Sequence, residues 1–201
     1  MVGTKTDRRA RAEHLFRVVS SDRFLQKQGL GNEVPFFICA FDAEDGLSLG
    51  EDREDLIARL SHAGVRVLDI DLYDLSIRIL EDRGIFEQIL EVEAETEKAE
   101  LKELLQGVLD PQAHLIPEIA RHIEEVPHDV IFLSGVGEVY PYLRSHNVLN
   151  NLQSTAKDKP TVLFFPGEYR HSLENGASLE LFGLLHDDKY YRAFNIFETQ
   201  A

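Results

Sequence analysis

Between Val130 and Tyr169 two apolar runs, Val130 to Leu133 and Thr161 to Phe165, bracket a segment that carries Tyr140, Arg144, His146, Asn147, Asn150 and Asn151. Amides, a guanidinium and a phenol are groups that hold a ligand or a partner by directed hydrogen bonds. Pro141 suits the first turn of a helix. Tyr140, Arg144, Asn147 and Asn151 then recur at helical spacing and share one face, with His146 and Asn150 beside it. Val148, Leu149 and Leu152 can pack the opposite side. Asparagine is a poor helix former, so three in one helix cost stability. Either these donors are fixed for a ligand or partner, or they cap backbone around the helix. Glu168 and Tyr169, in the run PGEY after the second strand, would lie near the same sheet edge and complete the surface.

Other chemistries lack their sequence signatures. The first apolar strand is followed by FDAEDGLSLGED, which has two glycines but no Gly-Lys-Ser/Thr. Asp42, Glu44, Asp45, Glu51 and Asp52 would repel a phosphate there. Gly135-Val136-Gly137 lies between a strand and a helix, but Tyr140 stands where a dinucleotide fingerprint needs its third glycine. A tight turn accounts for it. Asp42, Asp69, Asp71 and Asp74 at strand ends could approach a divalent metal. Yet Asp69 and Asp71 alternate with Leu68, Ile70 and Leu72, as a strand with one polar face would. His62, His114, His122, His128, His146, His171 and His186 are scattered, with no zinc spacing. Ser134 lacks a Gly-x-Ser-x-Gly elbow, and a triad of Ser134, His146 and Asp129 has no support in spacing. No enzyme, no cofactor and no metal are expected.

The elements that must position these residues alternate in type. Arg8 to Gln28 reads as an amphipathic N-terminal helix (about 8–28), closed by Gly29 and Gly31. PFFICAFD (Pro35 to Asp42) is a strand apolar on both faces. A helix from Asp52 to His62 and a strand from Val65 to Leu72 follow. Tyr73 to Leu90 predicts one long helix, and Glu91 to Glu103 a solvated one. Pro111, capped by Asp110, opens another that runs to Glu125. SLELFGLL and YYRAFNIF near the C-terminus are edge strands or a returning hairpin. This order predicts one α/β domain over 1–201, three-layered, with a mainly parallel sheet and helices on both faces, Rossmann-like or degenerate P-loop-like.

Composition narrows the partners. Of 201 residues 36 are acidic and 21 basic, a formal charge of −15, which argues against nucleic acid as a primary ligand of the isolated chain. Cys39, the single cysteine, lies inside an apolar strand and reads as a small buried hydrophobe. No segment has the pattern of a signal peptide or a membrane span, so a cytoplasmic protein without a membrane partner is expected.

GVGEVYPYLRSHNVLNNLQ, then KPTVLFFPGEY and LFGLLHDDKYYRAFNIF, resemble the BrxB family of bacterial BREX phage-defence systems. PFFICAFD and VRVLDIDLYDLSIRILEDRGIFE fit the same family. The resemblance spans roughly Pro35 to the C-terminus. It implies a small cytoplasmic protein without an established reaction, encoded with a large ATPase, a methyltransferase and a PglZ-type protein. It implies a non-catalytic scaffold or adaptor that binds other BREX components, chiefly the PglZ-type protein, and it supplies no catalytic residues. Tyr190, Tyr191 and Arg192 are then candidate partner anchors, or pack a C-terminal strand on the core. Self-association is left open. The rival reading is a degenerate nucleotide-binding domain related to P-loop ATPases, resting on element order and the Gly135 to Gly137 turn. A third is DNA contact within an assembled complex.

Overall fold

The computed structural model describes residues 5–31, 33–172, 176–186 and 193–201. In chain order the elements are α1 (Lys5–Val19), α2 (Asp22–Leu25), β1 (Phe36–Phe41), α3 (Gly46–His62), β2 (Val67–Asp71), α4 (Leu72–Asp82), α5 (Phe86–Glu93), α6 (Lys98–Val108), α7 (Ile116–Glu125), β3 (Val130–Ser134), α8 (Ser145–Leu152), β4 (Thr161–Ser172), β5 (Gly176–Leu181), β6 (Leu185–His186) and β7 (Phe194–Asn195). The main sheet runs β2-β3-β4-β1-β7, and every pair in it is parallel.

Period-two alternation sorts each strand between two cores. Ile38, Ile70, Leu133 and Phe165 face a cluster built with α4 to α8, including Leu72, Ile119 and Leu149. Cys39, Phe132 and Phe164 face a second cluster closed by α1 to α3 through Val18, Phe24, Leu56 and Leu60. Helices thus cover both faces of a mainly parallel sheet, as the element order predicts. Cys39 is buried, and burial pushes its thiol up to about 12, so it is an inert core side chain.

Several boundaries differ from those read in the sequence. The N-terminal helix breaks after Val19: Ser20 and Ser21 return their hydroxyls to Phe16 O and Val18 O, and Ser21 then caps the short α2. The helix expected from Tyr73 to Leu90 is two, parted at Gly84, whose φ is +67°. The helix assigned to Asp52–His62 begins at Gly46, continuing a 3-10 turn at Ala43–Asp45. Asp110 does cap the turn at Pro111, accepting from Ala113 N at 2.8 Å. The C-terminal segments are both things expected of them: β5 makes an antiparallel hairpin with the far half of β4, and β7 is a parallel edge strand on β1.

At the amino ends of β2 and β3, Arg66 and Asp129 pin the strands together. The Asp129 carboxylate accepts from Arg66 N (2.9 Å), Nε (3.0 Å) and Nη2 (2.8 Å). The Arg66 side-chain bonds hold its pKa down at about 2, against 3.8 unperturbed. A folded pKa below the unfolded one stabilises above pH ~4 and loses that contribution as pH falls towards 2. Both side chains are partly in water, so Asp129→Asn is expected to cost only about 1 kcal/mol at pH 7. Urea titrations at pH 7 and pH 2.5 check this: the gap between variant and parent should close at the lower pH.

Candidate functional site

In an open parallel sheet, ligands and partners meet the chain at the carboxyl ends of the strands. Here that mouth holds a cavity of about 370 Å³, lined from β1 by Phe41, from α3 by Arg53, from β3 and its turn by Ser134 to Glu138, and from the hairpin by Pro166 and Phe182.

The polar floor of the mouth is a chain of contacts between elements far apart in sequence. Arg53 Nη1 donates to Asp69 Oδ1 on β2 (3.1 Å) and also to Ser134 Oγ on β3. Ser134 Oγ donates to Asp71 Oδ2 (3.0 Å), and Asp71 Oδ1 accepts from the α4 amides of Tyr73 (2.9 Å) and Asp74 (3.3 Å). Burial raises the Asp69 pKa against the pull of Arg53, and Asp71 and Glu54 add to the rise. Gly135, at φ +78°, is what lets this turn close. A Cβ there would stand 2.5 Å from Asp71 Oδ1 and 2.9 Å from the amides of Leu72 and Tyr73.

The loop after β1 is occupied from within. Asp42 Oδ1 accepts from Glu44 N (3.1 Å), the kind of amide that a phosphate would seek in a nucleotide loop. Glu44 and Asp45 are exposed beside it. Asp42, Asp69 and Asp71 each serve a cap or an ion pair. Among the described residues no three His, Cys, Asp or Glu side chains are grouped to hold a metal ion. The Ser134, His146 and Asp129 combination is dismantled by topology: Asp129 precedes β3 and Ser134 ends it, about 16 Å apart at the rise of a strand.

The motif segment departs from the single helical face expected of it. Helix α8 starts only at Ser145, and Arg144 is extended (φ −113°, ψ 135°). Residues 137–143 form turns anchored by buried Val139 and Leu143, and the Tyr140-Pro141 bond is cis. Pro141 therefore does not open the helix; the residue before a proline avoids helical backbone, which keeps Tyr140 out of it as well. Tyr140 is half-buried against the core, apart from the helical face that carries Asn147 and Asn151. Asn151 Nδ2 donates to Asn147 O in its own helix (2.7 Å), and Asn150 Oδ1 accepts from Gln153 (3.2 Å). His146 is half-buried, and Asn147 and Asn150 are exposed.

On β4, Tyr169 braces the C-terminal segment: its hydroxyl donates to Ala193 O at 2.5 Å, and burial pushes its pKa up to about 12. Glu168 faces Glu180 across the hairpin, and Arg170 offsets the like charges by reaching both (2.7 and 3.8 Å). Tyr190, Tyr191 and Arg192 lie outside the described residues. Nothing in the sequence singles out Arg53, Phe182 or Glu138, which the structure brings to the cavity. Arg53 sits in an ordinary charged helix, and only its reach across to β2 and β3 gives it a place in the mouth.

A family model described as "BREX protein BrxB" matches residues 68–196. This chain belongs to the BrxB family. A BREX protein BrxB of Bacillus cereus (strain H3081.97) is 30% identical over 94% of this chain and 96% of its own length. One of Escherichia coli O9:H4 (strain HS) is 29% identical over 89% and 86%. No solved structure matches the chain. Family membership implies a role in phage defence and work alongside other BREX proteins. No helix among the described residues is long and apolar enough to cross a membrane.

Proposed function

We propose that this chain is a non-catalytic adaptor of a BREX phage-defence complex, binding other BREX components and the PglZ-type protein first among them. The observation that carries this reading is the state of the strand-end mouth. Its polar groups are bonded to one another, with Arg53 on Asp69 and Ser134, Asp71 on the α4 amides, and Asp42 on its own loop. Such an arrangement builds a rigid, acidic surface rather than a set of groups poised for a reaction. Beside it the turn after β5 carries Phe182 and Leu184, 40% and 81% exposed, apolar groups of the kind that gain most by burial in a partner. The charge of −15 would speed encounter with basic regions of that partner.

Co-purification of the tagged chain with its neighbouring BREX proteins, eluted through a salt gradient, tests the proposal. A stoichiometric complex with the PglZ-type protein is the expected result. Assembly of the other components without this chain would sink it. The same acidity predicts no mobility shift of DNA by the chain alone.

The place of the cavity, at the carboxyl ends of a parallel sheet, favours a second reading as a degenerate nucleotide-binding domain. Thermal shift with nucleotides and Mg²⁺ separates the two. A nucleotide at a hundred times its Kd would stabilise the chain by about 2.7 kcal/mol, whereas an adaptor whose Asp42 fills the phosphate position should not respond.

A further inference from the structure

We infer that the strand-end cavity is the receptor for one arginine side chain of the partner protein, seated between the Phe182 ring and the acidic rim. The inference rests on the adaptor reading and gives it a specific anchor.

Three features support it. First, the cavity of about 370 Å³ accommodates a long side chain with its flanking backbone and is walled by Phe41, Phe182 and Pro166. Second, the charge around it is one-sided: exposed Glu138 is in the lining, and the loop that supplies Ala43 and Gly46 to it carries exposed Asp42, Glu44 and Asp45, while Arg53, the cation of the lining, is already engaged with Asp69 and Ser134. An incoming anion meets repulsion, and an incoming guanidinium meets carboxylates and an aromatic face, the two surfaces it binds best. Third, Phe182 holds φ +56°, a conformation that costs a bulky residue free energy. Its ring is set against the turn, with Cε1 3.2 Å from where a Cβ on Gly137 would lie, and is still 40% exposed. Strain of this kind persists where the surroundings impose it, and it is common at binding sites. Lysine would satisfy the rim but would gain less from the ring.

The test is titration calorimetry of the PglZ-type protein with the parent chain and with Phe182→Gly and Glu138→Arg. Glycine takes positive φ freely, so Phe182→Gly removes the ring while easing the backbone, and its melting temperature should hold or rise. Glu138→Arg reverses one exposed rim charge. Each is expected to weaken Kd tenfold or more with the fold intact. Parent-like affinity in both variants would overturn the arginine receptor and leave the adaptor reading standing. Failure of the parent itself to bind would remove the adaptor reading and the receptor with it. Should Phe182→Gly fail to fold, the Glu138→Arg result decides alone.

Discussion

Replacing Gly167 with alanine is expected to destabilise the protein by about 3 kcal/mol or more and to free the β4–β5 hairpin from the sheet mouth. Gly167 stands where β4 leaves the parallel sheet and turns outward, with φ +153°. A Cβ there would lie 2.1 Å from Glu180 O and 2.9 Å from Phe182 N. Both are backbone atoms held by the hairpin register, in which Gly167 pairs with Leu181. Neither can move aside without opening the ladder, so backbone strain and lost hydrogen bonds add. Phe182 N donates to Pro166 O at 2.8 Å, and that bond would be among the first to go. Urea denaturation should show the midpoint falling sharply, and amide exchange should show loss of protection concentrated at 176–182. A change below 1 kcal/mol would mean that this crossing is looser than its geometry.

The second large effect is at Arg53. Arg53→Met is expected to cost about 2 kcal/mol at pH 7. Removing one partner of a fully buried ion pair costs more, about 3–5 kcal/mol, but the Asp69 side chain is a third exposed and water softens the loss. The greater part of the cost is the Asp69 carboxylate, whose pKa burial already raises and which would lose its only counter-charge among the described groups that shift it. A carboxyl with a folded pKa above its unfolded value binds its proton more tightly when folded, so its relative stability is greatest at low pH and is lost as pH rises through the folded pKa. The Arg53→Met deficit should therefore narrow between pH 7 and pH 4. Adding Asp69→Asn should recover most of it at pH 7. A deficit equal at both pH values, with no rescue by the amide, would show that Arg53 acts by packing its stem and not by its charge.

How much of this was legible beforehand differs by element. The core strands stood out because PFFICAFD and VIFL are apolar on both faces, a pattern that arises when helices cover both sides of a sheet. Asp110, as a cap before Pro111, was equally readable, since a cap is a contact within four residues. Helix breaks fared worse. Ser20 and Ser21, Gly84 and the Pro141 turn interrupt patterns whose apolar spacing continues through them, and only packing decides whether a helix bends away there. The face assigned to Tyr140, Arg144, Asn147 and Asn151 failed for that reason: buried Val139 and Leu143 hold the chain in turns until Ser145.

By itself, then, the order of apolar runs determined a three-layer α/β architecture, and a long family signature determined kinship with BrxB proteins. Both are recorded in local strings of residues, which is why they can be read without coordinates. The tertiary structure alone decided the mouth. Arg53, Asp69, Ser134 and Asp71 lie up to 81 positions apart, and Phe182 joins the cavity lining where Gly167 allows β4 to turn out of the sheet. Hydrogen bonds and strain of this kind depend on ångström distances between segments that share no local pattern, so no spacing along the chain announces them.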